Sequence, residues 1–237
     1  MMILPSELIG RRAPSESPRF QPYDLFKRIL DVILAAAGMV ILLPVFVLVA
    51  LLIKLDSPGP VFYEQVRVGQ NRRRSRNGGP PSERDRRRAD SFGRPFKIYK
   101  LRSMVVDAER NTGPIWAAAK DARVTRLGRL LRKSRLDETP QLWNVLRGDM
   151  SLVGPRPERP VFVTTFAESL PEYPMRCQAL PGITGLAQVK SRYDSSLETV
   201  NRKLQYDLYY VRHGRLLLDL KIMAATVKVM ARGEGAH

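Results

Sequence analysis

The dominant feature of the hydropathy pattern is an uncharged apolar run, VILAAAGMVILLPVFVLVALLI, from Val32 to Ile53. About 20 such residues suffice for a helix to cover the hydrocarbon core of a bilayer. The run is too long for a secretory signal, and no small-residue cleavage site follows it. It predicts a membrane helix over 23–56. Pro44 lies just past the middle of the run, where it removes one backbone hydrogen bond and crowds the preceding turn, so a kink is expected there. Basic residues stand on both flanks: Arg11, Arg12, Arg19, Lys27 and Arg28 before it, Lys54, Arg67 and the cluster from Arg72 after it. The preference of basic residues for the cytoplasm therefore favours neither orientation. Two arrangements stay open, a kinked spanning helix or one that enters, breaks at Pro44 and turns back. Arg28 and Asp31, three apart, are spaced to pair at the headgroup level.

Beyond this run the periods change. Residues 1–22 carry four prolines and no periodicity, which predicts a flexible arm. In 57–69, SPGPVFYEQVRVG, a turn leads into rough apolar–polar alternation, and 94–104, RPFKIYKLRSM, alternates Phe96 and Ile98 with Lys97, Lys100 and Arg102. Both read as half-buried strands. Between them, 70–93 is rich in arginine with scattered Gly and Pro, a solvated insertion that is either a contact for anionic lipid or merely tolerated. Few aromatics interleave those arginines, which argues against nucleic acid. Val124, Leu127, Leu130 and Leu131 recur at helical spacing in 121–138, opposite a basic face. Ser195 and Glu198 have the spacing of a capping box ahead of Leu197, Val200, Leu204, Leu208 and Val211. A last helix over 215–232 is apolar enough either to pack in a core or to lie in a membrane interface. The expected fold class is α/β and mostly helical, a membrane helix followed by a small domain over 57–237 with interfacial amphipathic helices.

The charge balance adds a partner. With 40 Lys+Arg against 23 Asp+Glu, the net charge of +17 asks for an anion: nucleic acid, acidic lipid headgroups or a phosphorylated substrate. The single cysteine, Cys177, excludes an internal disulfide and reads as a small buried hydrophobe.

Against this basic background the adjacent carboxylates Asp137 and Glu138 stand out, followed by Pro140 and by the rigid stretch GPRPERP at 154–160. An acidic pair alone is commonly a solvated corner. Close carboxylates also favour a divalent cation between them, and oxygen-rich sites suit Mg²⁺, which shares its shell with substrate phosphates. Lys100, Arg102, Arg132 and Arg156 would supply the cations that a phosphate needs, arginine bidentately. The chemistry so assembled is phosphoryl transfer.

Five ordered blocks, KRILDVILAAAGMVILLPVFVLVALLIKLDSPGPVFYEQVRVG, FKIYKLRSM, RLGRLLRKSRLDETPQLWNVLRGDMSLVGPRPERP, LPGITGLAQV and KLQYDLYYV with LLLDLKIM, resemble the bacterial sugar transferases, the monotopic phosphoglycosyl transferases. The likeness runs from about residue 24 to 230, excepting 70–93. It implies transfer of a sugar 1-phosphate from a UDP-sugar to undecaprenyl phosphate, with release of UMP, as the first membrane step of exopolysaccharide or glycoconjugate assembly. Asp137 would be the nucleophile that forms a covalent phosphosugar intermediate. Glu138 would help hold Mg²⁺, and Lys100, Arg102, Arg132 and Arg156 would bind phosphate and nucleotide. The resemblance also implies a re-entrant helix broken near Pro44, and a catalytic domain on the cytoplasmic face of the bacterial inner membrane, against anionic lipids. Thr139 after the dyad, Leu43 before Pro44 and Leu186 in GITGLAQV depart from the usual Leu, Ser and Trp of such proteins. The rival of another class is a non-catalytic basic membrane protein that binds anionic lipid or nucleic acid. A homo-oligomer is left open, as is the sugar.

Overall fold

The structure, a computed structural model, describes residues 22–71, 92–110, 113, 121–191 and 196–232. The expected arm, most of the arginine-rich insertion, Trp116 and Ser195 lie outside the described residues.

Helix α1 spans Pro22–Asp56, with Asp24 in its first turn and Lys54 in its last, the signs that complement the helix dipole. It is helical on both sides of Pro44 with no gap between. One lost hydrogen bond does not end a long apolar helix, and in an apolar surrounding a break would leave more polar backbone groups unsatisfied. Among the described residues it is the one helix long and apolar enough to cross a membrane. Val40, Ile41, Leu43, Val47, Leu48 and Leu55 are exposed along it.

Both ends of α1 are bound to the rest of the chain. Towards the N-terminus, Arg28 donates to the carbonyl oxygens of Val145 (2.6 Å) and Leu146 (2.9 Å), and Asp31 accepts from the Leu152 amide (3.0 Å). Arg28 and Asp31 thus serve different partners rather than each other, because each finds backbone groups that need it. Ala35 packs with Ile98, Val145 and Met150. Towards the C-terminus, Val49 and Ile53 pack with Leu101 and Leu131.

The two expected strands, β1 (Phe62–Val68) and β2 (Pro95–Leu101), pair antiparallel, with Phe62 opposite Leu101 and Val68 opposite Pro95. Next come α2 (Arg126–Lys133), α3 (Gln141–Arg147), β3 (Ser151–Val153), α4 (Pro160–Ser169), β4 (Gly182–Thr184) and α5 (Leu186–Lys190). The chain closes with α6 (Leu197–His213) and α7 (Leu216–Ala231). Strands β3 and β4 pair in parallel, and they touch so closely that a Cβ on Gly182 would collide with the Gly154 nitrogen. Helix α6 is capped by Ser196 and Thr199, one residue later than the expected Ser195 and Glu198; both side chains bond the opposite backbone amide. Its apolar face, Val200, Leu204 and Leu208, joins Phe166, Tyr173 and Cys177 in a core. Helix α7 divides its surface: Ile222 and Asp219 are buried, while Leu217, Leu220, Val227 and Met230 are exposed. Among the described residues the architecture is mostly helical with two small two-stranded sheets.

Candidate active site

Four elements converge on Asp137 and Glu138. Helix α2 starts at Thr125, whose Oγ1 accepts from the Gly128 amide at 2.9 Å, and it backs so tightly onto Ser103 that a Cβ at Gly128 would strike the Ser103 carbonyl. That approach brings Arg132, in the last turn, to donate through Nε to Ser103 Oγ at 3.0 Å. The expected longer helix stops there. Arg135 takes a left-handed backbone conformation (φ 59°), and a single 3-10 turn, Leu136–Glu138, carries the dyad before Pro140 leads into α3. Asn144 of α3, fully buried, donates to the Lys97 carbonyl (2.7 Å) and accepts from the Tyr99 amide (3.2 Å), which fixes β2 and hence Lys100 against the dyad.

The two carboxylates differ sharply although both are buried, at 6% and 8% exposure. Glu138 Oε1 accepts from Lys100 Nζ at 2.8 Å and from Arg156 at 2.6 Å; Arg156 also reaches Oε2 at 3.3 Å, with Arg135 3.9 Å from the same oxygen. Burial alone would raise the Glu138 pKa, but Arg156 and Lys100 outweigh it and hold this carboxyl well below the usual range. Asp137, by contrast, has no side-chain hydrogen bond or ion pair among the described residues. Burial, then the neighbouring Glu138, pushes its pKa up, opposed by the fields of Lys100, Arg132 and Arg156. Lys100 is pushed down by burial, against the pull of Glu138. Four cations, Lys100, Arg132, Arg135 and Arg156, thus face two carboxylates. Such a site has electrostatic capacity left over for an anion.

Of the residues expected at the site, Asp137, Glu138, Lys100, Arg132 and Arg156 are brought together. Arg102 is not. Its guanidinium donates to the carbonyl oxygens of Ile53 (3.2 Å), Ser57 (2.6 Å) and Pro58 (2.9 Å) and to Ser57 Oγ (3.0 Å), so it closes the C-terminal end of α1. Helix ends leave carbonyls without partners, and an arginine fork satisfies several at once. Arg135 and Ser103 were missed, although both lie inside the motifs singled out; nothing in their spacing says that the chain turns left-handed at 135.

Aspartate and glutamate oxygens are the donors that Mg²⁺ takes. No group of three or more His, Cys, Asp or Glu gathers among the described residues. Glu138 already carries Lys100 and Arg156, so among the described residues Asp137 is the dyad carboxylate with oxygens left for such a cation.

The family model for bacterial sugar transferases matches residues 22–233. The chain is 39% identical over 236 residues to the UDP-glucose:undecaprenyl-phosphate glucose-1-phosphate transferase of Caulobacter vibrioides, covering 98% of this chain and 79% of that protein. It is 39% identical over 215 residues to the UDP-N-acetylgalactosamine-undecaprenyl-phosphate N-acetylgalactosaminephosphotransferase of Aeromonas hydrophila, covering 91% of this chain but 46% of that protein. It is 35% identical over 217 residues to the exopolysaccharide production protein PSS of Rhizobium leguminosarum bv. phaseoli, covering 89% and 98% of the two. With its dyad, basic surround and long apolar helix inside the matched range, the chain belongs to the bacterial sugar transferase family.

Proposed function

We propose that this protein transfers a sugar 1-phosphate from a UDP-sugar to undecaprenyl phosphate through an Asp137-bound intermediate. The observation that carries the reading is the asymmetry of the dyad: Glu138 is saturated by Lys100 and Arg156, while Asp137, buried beside it, keeps its oxygens unengaged among the described residues. A carboxylate without partners is a usable nucleophile. One Asp137 oxygen attacks the β-phosphorus of the UDP-sugar, and the bond from that phosphorus to the α–β bridging oxygen breaks. UMP leaves with the bonding pair, and the sugar phosphate stays on Asp137. A phosphate oxygen of undecaprenyl phosphate then attacks the same phosphorus. The phosphorus–Asp137 bond breaks, which returns the carboxylate and gives undecaprenyl diphosphate sugar. Arg132, Arg156 and Lys100 lower the repulsion between carboxylate and diphosphate, and being fixed beforehand they need not reorganise as charge develops. Of the two expected ligands, Asp137 is the one whose oxygens would hold Mg²⁺, which when bound would supply further neutralisation of phosphate charge; Glu138 would join it only by giving up Lys100 or Arg156.

The membrane placement we propose is supported by α1. A straight 35-residue helix is roughly 52 Å long, more than the ~30 Å hydrocarbon core, yet polar partners at both of its ends belong to the same catalytic body. A helix that crossed the bilayer would part those ends. We therefore read α1 as re-entrant, bending at Pro44, with the site at the cytoplasmic headgroup plane of the inner membrane and anionic lipids beneath the basic surface. Single cysteines placed at Asp24 and Asp56 test this: a membrane-impermeant thiol reagent should modify both only from the cytoplasmic side. Modification of either one from outside would mean a spanning helix. Native Cys177, buried with its thiol pushed up to about 11, stays silent in that assay.

The reaction is tested by UMP release from detergent-solubilised protein with Mg²⁺, undecaprenyl phosphate and a panel of UDP-sugars, beside Asp137→Asn. Wild type should release UMP from at least one sugar, and the variant should lose at least about a thousandfold in rate with its unfolding midpoint unchanged. UDP as product would mean transfer of a whole glycosyl group, and undiminished UMP release by the variant would mean another nucleophile.

A further inference from the structure

Arg156 reaches Glu138 from a loop, Gly154–Glu158, that contains two prolines and so has few amides with which to anchor itself. Besides the Gly154 amide, which donates to the Thr184 carbonyl (2.9 Å), it is held through its carbonyl oxygens, four in succession. Pro155 accepts from the Gly182 amide (2.9 Å), Arg156 from Arg176 (2.9 Å), Pro157 from Arg67 (3.1 Å) and Glu158 from the Val68 amide (2.9 Å). Two of these donors are backbone amides on β4 and β1. The one that grips Arg156 itself is a side chain.

Arg176 lies in the 3-10 turn Tyr173–Gln178 and is 7% exposed. Its Nε donates to Asp207 Oδ2 at 2.9 Å, and one terminal nitrogen donates to the Tyr173 hydroxyl at 2.8 Å. The other terminal nitrogen lies 2.7 Å from Asp207 Oδ2 and donates to the Arg156 carbonyl. Asp207, on α6, is 2% exposed. A buried ion pair is a weak source of stability, because apolar residues of similar volume often do as well. Apolar residues could not hold the Arg156 carbonyl. The contacts form an unbroken line from Asp207 through Arg176 and the Arg156 carbonyl to the Arg156 guanidinium and Glu138.

We propose that Arg176, clamped by Asp207, is a positioning residue for sugar-phosphate transfer: it fixes the Arg156 main chain so that the guanidinium stays on Glu138 and Asp137 is left unengaged. The inference rests on the proposed function. Arg176 touches neither carboxylate of the dyad and acts only through Arg156, which sets the form of the test. Lysine at 176 keeps a charge for Asp207 but has one nitrogen where arginine has three, so it cannot hold Asp207, Tyr173 and the carbonyl together.

The experiment is a double-mutant cycle on UMP release at saturating and limiting UDP-sugar, with unfolding midpoints measured alongside. Its members are wild type, Arg176→Ala, Arg176→Lys, Arg156→Lys and the double substitutions. Arg176→Ala should lower kcat by about 10- to 100-fold, the usual effect of removing a group that orients an active-site residue. Arg176→Lys, which keeps a cation for Asp207, should lower the unfolding midpoint by less than Arg176→Ala does and still lose most of that rate. In the Arg156→Lys background, either change at 176 should cost less than about threefold more, since both act on one group. Losses that multiply, or a wild-type rate in Arg176→Lys, overturn the inference. Should Arg176→Ala fail to fold, the lysine variant carries the same cycle. Absence of UMP release by wild type with every sugar sinks the parent reading, which separates that failure from this one.

Discussion

Two buried acidic centres of this chain are built from similar residues and do opposite things. At Asp219 on α7, both carboxylate oxygens are taken: Oδ2 by the Tyr23 hydroxyl (2.8 Å) and Lys27 Nζ (2.9 Å), Oδ1 by the Tyr210 hydroxyl (2.8 Å). One cation meets one carboxylate, and the donors come from α1 and α6, so the network closes on itself and ties three helices together. At the dyad, four cations meet two carboxylates, and one of the carboxylates has no partner among the described residues. A closed network spends its hydrogen bonds on the fold. An open one keeps cations and a carboxylate in place for an anion that arrives later, and its own repulsions are borne by the surrounding scaffold.

The largest effect that would sharpen this contrast is the removal of Asp219. Asp219→Ala strands the Lys27 ammonium, whose side chain is 14% exposed, takes the acceptor of the Tyr23 hydroxyl and leaves Tyr210 with the Val153 carbonyl alone. Breaking a buried pair from one side typically costs about 3–5 kcal/mol. The unfolding midpoint in detergent should fall by many degrees, with α1 the first element to become protease-sensitive. Asp137→Asn should leave the midpoint where it was and abolish turnover. If the two substitutions exchanged phenotypes, the distinction between closed and open networks would be wrong.

The sequence made the open centre readable and the closed one nearly invisible. Asp137 and Glu138 are adjacent and sit in a run of cations, so composition alone marks them, and α1, β1, β2 and α2 follow from runs and periods of residues. Asp219 meets partners 196 and 192 residues away, and Arg176 meets Asp207 across 31; no local period encodes such pairs. Strands β3 and β4, three residues each, are too short for alternation to register. The capping box sits one residue later than its spacing suggests because serines stand at both 195 and 196, and only the backbone decides between them.

Arg102 is the hardest case, and it makes the last and smallest break in the comparison. In sequence it is indistinguishable from Lys100 two residues earlier on the same strand face, and phosphate is the natural partner to expect. In the fold its fork is consumed at the end of α1, where Gly59 (φ 123°) passes so close that a Cβ there would collide with the guanidinium. Arg102 therefore belongs with the closed networks. Arg102→Lys keeps the charge but loses the fork, and should cost about 1–3 kcal/mol of stability through carbonyls left unsatisfied. Turnover per folded molecule should stay within about threefold of wild type. Arg156→Lys should do the reverse, with a lower kcat at an unchanged unfolding midpoint. Loss of turnover in Arg102→Lys with full thermal stability would return Arg102 to the phosphate and leave the end of α1 to be held by something else.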